Sequence, residues 1–438
     1  STRGLLGVTD PDPRSALQAK QPPVQVLRLD ELDSIFEAAS RARLLRNREV
    51  LLPDYVPLEL PHRSEEIRRL AEVVAPALRG ERPNNVFIYG LTGTGKTAVT
   101  KYVLRRLQEL ASQKGAMVQS IYVNVRQRET PYKVLADVAE QLGLRVPFTG
   151  LSIGELFSRI VKRLSRLEGV YIVVLDEIDF LVRRGDDVLY DLTRVNEHLQ
   201  RARVSVIGIT NSVRLVDSLD PRVRSSLGEQ TLVFSPYNAE QLKDILSQRA
   251  AMAFNEGALE EGVIPLCAAL AAREHGDARR ALDLLRVAAE IAEREGAPKV
   301  TEEHVMRARA EIERDKVSDV IRTLPLHSKL VLASVLSATG WGRGEATTGD
   351  VYSTYRSVVR SLGLEEVTLR RVSGVLGELD MLGIISGRVV SRGRYGKTRV
   401  VELAADPETV AQALSEDPLV GSVIQSLTPK GRRQAGAQ

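Results

Sequence analysis

The sequence predicts an α/β chain in which a parallel sheet is covered by helices on both faces, followed by a helical unit and a small C-terminal unit. Three observations lead there. Apolar strand-like runs at 86–90, 118–125, 170–175, 204–210 and 230–235 alternate with amphipathic helical stretches, the pattern of a parallel sheet packed on both sides. Past about residue 232 the strand signal stops, and three or four helices rich in Ala, Leu, Arg and Glu run to about 315. From 326 on, three helical segments (326–337, 348–362, 368–382) precede two β-branched runs around a glycine-containing loop, a hairpin signal.

Composition bounds the rest. A chain of 438 residues exceeds one core, and 43% hydrophobic with 27% charged residues is ordinary for a globular protein. No stretch of about 18 apolar residues occurs, so no membrane partner is expected. The first thirty residues lack the apolar core of a signal peptide, which predicts an intracellular, cytoplasmic protein. The single cysteine, Cys267, sits in an apolar run and reads as a small buried hydrophobe. The five histidines are dispersed and form no metal-ligand pattern. A net charge of +4 proves no nucleic-acid partner, so where the arginines cluster matters more. Aromatic residues at 4% argue against a base-stacking platform for single strands.

In chain order, residues 1–28 read as an N-terminal arm. A helical and then basic stretch through Arg41, Arg43, Arg46 and Arg48 opens a nucleotide-binding unit over 29–232; its basic residues could contact DNA or equally form a solvated face. His62 and Arg63 are assigned to the nucleotide, ahead of a helix that Ser64 would cap. The first strand then runs into Gly90-Leu91-Thr92-Gly93-Thr94-Gly95-Lys96-Thr97-Ala98. Gly-x-x-x-x-Gly-Lys-Thr between strand and helix is a phosphate loop. Its glycines let backbone N–H groups turn inward on phosphate oxygens, Lys96 reaches the outer phosphates, and the Thr97 hydroxyl ligates Mg²⁺. The following helix adds its positive end. About eighty residues on, an apolar strand ends in Asp176-Glu177. There Asp176 would hold Mg²⁺ through its water shell, and Glu177 would polarise the water that attacks the γ-phosphate. Asn211 closes the next strand and could orient the same water, although strand ends also carry Asn for turn chemistry.

This combination resembles the AAA+ ATPases, with Asn211 at the first sensor. The resemblance implies ATP/ADP and Mg²⁺ as cofactors. Leu219-Asp220-Pro221-Arg222-Val223-Arg224 is similar to the motif that carries the arginine finger, and both Arg222 and Arg224 are candidates. Residues 233–315 resemble the AAA+ helical lid. Within it Gly276-Asp277-Ala278-Arg279-Arg280 is similar to the second-sensor motif, which implies that Arg279 points at the γ-phosphate.

The C-terminal unit, taken as 316–410, carries a helix whose Leu369, Val372, Val375, Leu376, Leu379 and Leu382 fall on one face and are expected in the core. Thr368, Arg370, Arg371 and Ser373 lie near its start, where a recognition helix meets a major groove. The hairpin beyond it is basic, with Arg388, Arg392, Arg394, Tyr395 and Lys397. Helices and basic hairpin together resemble a winged-helix DNA-binding domain; a basic hairpin can also merely guard an exposed edge. Residues 411–438 read as a C-terminal tail.

An AAA+ unit, a lid and a C-terminal winged helix in this order resemble the archaeal origin-recognition initiators, over about 50–405. Asn124 to Leu135 is similar to the family's extra helical insertion, which implies DNA contacts from Arg126, Arg128 and Lys133. The resemblance implies a nucleoid-associated prokaryotic protein whose partners are double-stranded origin DNA, the replicative helicase, and a second copy or a paralogous initiator on DNA. Other classes stay open: a nucleotide-regulated winged-helix transcription regulator, or a partner-remodelling or clamp-loading ATPase.

Overall fold

The computed structural model describes residues 28–41, 44–182, 187–391, 393 and 397–427. The expected strands form β1 (Val86–Gly90), β2 (Val118–Asn124), β3 (Gly169–Asp176), β4 (Ala202–Thr210) and β5 (Gln230–Phe234), all parallel, in the order β2-β3-β4-β1-β5. A strand sandwiched between helical layers needs apolar side chains at every position, and β3 is buried at every residue after Gly169. One face packs on helices Pro131–Gln141, Ile153–Leu164 and Asp187–Arg194, the other on Ser64–Val74 and Lys96–Lys114. Because β4 lies between β1 and β3, their carboxyl ends open side by side. Ligands of open parallel sheets sit there, and the loop after β1, Asp176 at the end of β3 and Asn211 after β4 share that edge.

The lid is built from helices Ala239–Ala253, Val263–Arg273, Ala278–Arg294 and Glu302–Thr323. Asn238 caps the first reciprocally: its side chain accepts from Gln241 N at 2.8 Å, while Gln241 Oε1 accepts from Asn238 N at 3.0 Å. Cys267 is in the lid core, where burial pushes its thiol up to about 12. Leu44, Val50 and Leu51 are in the same core, and Arg46 N donates to Ala253 O at 2.7 Å. The reading that places all of 29–232 in the nucleotide-binding unit is therefore corrected at this stretch. With both sheet faces already covered by helices, its apolar side chains find burial against the lid.

The C-terminal unit packs helices Leu326–Ala338, Thr348–Ser361 and Leu369–Met381 against an antiparallel sheet ordered β6-β8-β7, from β6 (Ala346–Thr347), β7 (Ile385–Ser391) and β8 (Lys397–Leu403). Val372, Val375, Leu376 and Leu379 are buried as their spacing requires. Leu369 and Leu382 are not core: they are 47% and 49% exposed, because the ends of the helix overhang the packed layer. Nor is the chain from 411 onward a tail throughout. Helices Pro407–Ser415 and Pro418–Leu427 bury Val410, Leu414, Val420, Val423 and Ile424 in this core. Among the described residues no helix is long and apolar enough to cross a membrane.

Each buried Val, Leu or Ile of the last helix is worth roughly 1.5–3 kcal/mol. Ending the chain at residue 415 should therefore lower the melting temperature of the C-terminal unit markedly, whereas ending it at 427 should leave it unchanged. Thermal unfolding of both truncations checks this.

Candidate nucleotide site

The loop after β1 has the geometry of an anion cradle. Gly93 and Gly95 hold φ of +71° and +90°; a Cβ on Gly93 would lie 1.6 Å from Asp277 Oδ1 and one on Gly95 2.8 Å from the Tyr237 hydroxyl. Only glycine fits these positions. Gly95 is the N-cap of helix Lys96–Lys114, whose free N–H groups face the cradle. Lys96 Nζ donates to Gly90 O at 2.8 Å and Leu91 O at 2.7 Å. Gly90, Leu91 and Thr92 thus form the back of the loop, while residues 93–98 line a cavity of about 750 Å³ between sheet and lid.

Asp176 is the opposite pole. Its Oδ2 accepts from Thr97 Oγ1 and from the Tyr122 hydroxyl, each at 2.6 Å, and its Oδ1 accepts from Glu177 N at 2.9 Å. Glu177 sits at φ +54°, an uncommon conformation for a side-chain-bearing residue and one found at functional turns. Glu177 and Asn211 line the same cavity. Among the described residues no three His, Cys, Asp or Glu side chains converge as a metal cage. Thr97 and Asp176 instead offer two hard oxygens beside a phosphate cradle, the donor set that suits Mg²⁺ shared with phosphates and water.

The lid closes the third side. Ala278 N donates to Gly93 O at 3.0 Å, and Arg279 lines the cavity at the start of its helix. Asp277 accepts from Arg279 N at 2.8 Å and Arg280 N at 3.2 Å, while burial raises its carboxyl above the usual range. Arg280 turns away onto Glu274 and Glu313. The remaining wall joins Tyr55, Val56, Pro57 and Leu60 to Ile245 and Leu282, an apolar end suited to a base. No sequence motif marks this wall.

Two expected nucleotide residues lie elsewhere. His62 does not line the cavity; its Nε2 meets Asp244 Oδ2 at 2.7 Å. Arg63 is buried beneath the loop. Its Nε donates to Thr94 O at 2.9 Å and the Tyr237 hydroxyl at 3.0 Å, its Nη2 to Ser235 O at 2.6 Å, and its Nη1 to Glu66 at 3.1 Å. With its donors so engaged, it braces the loop from below.

The two finger candidates differ. Arg222 pairs with Asp220 at 2.9 Å and lies 4.7 Å from the Tyr190 ring centroid. Arg224 makes no ion pair with a described residue and lines a second cleft of about 350 Å³. The nucleic-acid candidates are dispersed. In the insertion, Arg128 pairs with Asp137 at 2.8 Å and Lys133 with Glu129 at 3.6 Å. Arg126 lies over the Phe180 ring and lines the nucleotide cavity. In the C-terminal unit, Thr368 caps the helix through Arg371 N, Arg371 pairs with Glu378, and Arg388 with Glu345. Ser373 is half-buried, its carbonyl accepting from Arg399. Arg370 and Lys397 are exposed and make no ion pair with a described residue. Arg392, Arg394 and Tyr395 lie outside the described residues.

Burial pushes the Lys96 ammonium down to about 8, with the Asp176 carboxylate opposing and Arg279 reinforcing the shift. Below that pH the lysine is charged and attracts phosphate; above it the charge is lost. Nucleotide affinity should therefore fall about tenfold between pH 7 and 9, and binding near pH 8.5 should take up a proton. Calorimetry in two buffers of different ionisation enthalpy reads both.

Comparison with known proteins agrees with this architecture. Residues 79–216 match the family model "AAA domain", 243–310 the "Cdc6 AAA+ ATPase-type lid domain", and 319–413 the "CDC6, C terminal winged helix domain". The chain is 62% identical to ORC1-type DNA replication protein 1 of Aeropyrum pernix over 396 residues, 90% of this chain and all of that one. With the protein of that name from Sulfurisphaera tokodaii it shares 57% over 386 residues, 88% of this chain and 96% of the relative. The solved structure of the Aeropyrum pernix ORC1 protein in complex with DNA superposes with a TM-score of 0.80 at 64% identity, covering 86% of this chain and 98% of that one. With sheet, lid and winged helix each matched and nearly the full length of its relatives aligned, the chain belongs to the archaeal ORC1-type DNA replication proteins, AAA+ ATPases by fold and family.

Proposed function

We propose that this protein is an ATP-switched initiator that binds double-stranded replication-origin DNA and helps recruit the replicative helicase. One observation carries the reading: the phosphate loop, Asp176, Glu177, Asn211 and the lid's Arg279 line one cavity, in a chain whose C-terminal unit presents exposed Arg370 and Lys397 on a capped helix and a hairpin. The Aeropyrum pernix ORC1 protein, whose structure was solved in complex with DNA, supports the second half.

In the nucleotide half, Lys96 and the loop N–H groups hold the phosphates, and Thr97 and Asp176 hold Mg²⁺, which offsets phosphate charge when bound. Glu177 polarises the attacking water and Asn211 orients it. Arg279 reports the γ-phosphate to the lid. The finger, acting on a neighbouring copy or paralogue, is Arg222 or Arg224; Arg224 gives up no ion pair with a described residue, whereas Arg222 would exchange Asp220 for phosphate. Hydrolysis is slow and resets the switch.

In the DNA half, Thr368, Arg370, Arg371 and Ser373 face the groove, and Arg388, Arg392, Arg394, Tyr395 and Lys397 grip the backbone. Arg126, Arg128 and Lys133 supply the second contact. Arg371, Arg388, Arg128 and Lys133 exchange protein carboxylates for phosphates on binding, so Arg370 and Lys397 give the larger net gain.

Two measurements test this. Lys96→Ala should abolish ATP binding, and unchanged ATP affinity would sink the nucleotide half. The double variant Arg370→Ala, Lys397→Ala should bind origin duplex more weakly, with the slope of log K against log salt flattened by about 0.9 for the phosphate contact of Lys397 and the preference for origin over unrelated duplex reduced by the loss of Arg370. An unaltered slope removes Lys397 from the DNA interface, and an unaltered preference removes Arg370.

A further inference from the structure

Tyr122 stands on β2, two residues before Asn124, which pairs in register with Asp176 at the end of β3. Its ring faces helix Lys96–Lys114 and carries Lys101 Nζ at 4.2 Å from the ring centroid. Packing of that kind asks only for an aromatic ring. The hydroxyl does something more specific: it donates to Asp176 Oδ2 at 2.6 Å, the same oxygen that takes the Thr97 hydroxyl at 2.6 Å.

Counting acceptors shows the consequence. A carboxylate has about four lone-pair directions. Two on Asp176 Oδ2 are taken by the Thr97 and Tyr122 hydroxyls, and one on Oδ1 by Glu177 N. What remains free belongs to Oδ1. Tyr122 therefore fixes the rotation of the carboxylate, against which the Thr97 hydroxyl donates its own proton and keeps its oxygen lone pairs open. Without the phenol, Oδ2 has a vacant acceptor next to Lys96 and Thr97, and the carboxylate can turn.

We propose that Tyr122 is a positioning residue for Mg²⁺: it sets the orientation in which Asp176 and Thr97 receive the ion that accompanies the nucleotide. The proposal rests on the reading of Gly90-x-x-x-x-Gly95-Lys96-Thr97 and Asp176 as an ATP–Mg²⁺ site. Phosphate recognition by Lys96 and the loop does not pass through the phenol, so the two contributions separate.

The experiment compares full-length wild type and Tyr122→Phe, binding a fluorescent ATP analogue with Mg²⁺ and with a chelator, beside thermal unfolding of each. The phenol–carboxylate hydrogen bond is of the charge-assisted kind. Its loss should weaken Mg²⁺-dependent affinity about tenfold, raise the Mg²⁺ concentration for half-maximal binding, and leave chelator-condition affinity at the wild-type value. Equal loss in both conditions would show a packing role and overturn the proposal, as would full retention of the Mg²⁺ gain. Wild type showing no Mg²⁺ gain would overturn the underlying site reading, a failure separate from that of Tyr122. Tyr122→Leu, which lacks ring and hydroxyl, should lose clearly more melting temperature than Tyr122→Phe, which loses only the hydrogen bond to Asp176.

Discussion

The arrangement depends on one buried cation. The Arg63 guanidinium is almost wholly enclosed and lies 4.0 Å from the Tyr237 ring centroid. A charge there would be costly unless every direction were satisfied. Its partners are the carbonyl of Thr94 in the phosphate loop, the carbonyl of Ser235 and hydroxyl of Tyr237 at the junction between sheet and lid, and Glu66 in the first turn of the helix that begins at Ser64. One side chain thus bolts the floor of the cradle to the hinge of its lid. From above, the lid holds the same loop through Ala278 N and Gly93 O. The cradle is shaped jointly by two units distant in sequence.

Much of this was legible in the sequence for a physical reason. Strands buried on both faces must be apolar throughout, a glycine-spaced loop leaves few alternatives, and β3 can end in Asp176 only where a charge has water or a ligand. Those constraints are local. The contributions of Tyr122 and Arg63 are not local: each acts through hydrogen bonds spanning 31 to 174 residues of sequence. Tyr122 read as a strand aromatic, and Arg63 as one more cation near a nucleotide loop. The wall at Tyr55 to Leu60 was opaque for a related reason, since its role comes from lying across the cavity and not from any residue chemistry.

The last helices were legible and were misread. Asp406-Pro407 and Asp417-Pro418 each set a capping carboxylate before a proline in the first helical turn, where its missing N–H costs nothing. Taken as starters, the two prolines predict the helices that complete the C-terminal core. A proline's meaning lies in the residue before it and the apolar spacing after it.

The two halves of the molecule share one mechanical element. Helix Glu302–Thr323 has 22 residues, about 33 Å at 1.5 Å per residue. Its N-terminal part puts Val305 and Ala308 in the lid core, and its far end puts Ile321 in the winged-helix core. Ion pairs fix it at both ends: Arg280 to Glu313 and Arg309 to Glu274 on the lid side, Arg322 to Glu416 on the other. Arg280 adjoins Arg279, which lines the nucleotide cavity from the same helix. A rotation of that helix on losing a phosphate would reach the rod through a packed core and charged contacts without crossing a loop. Packed cores shift between discrete arrangements and do not deform continuously. Such a rod would carry a small displacement at the cradle to the DNA-gripping unit as a change of orientation, which is the coupling a nucleotide switch requires.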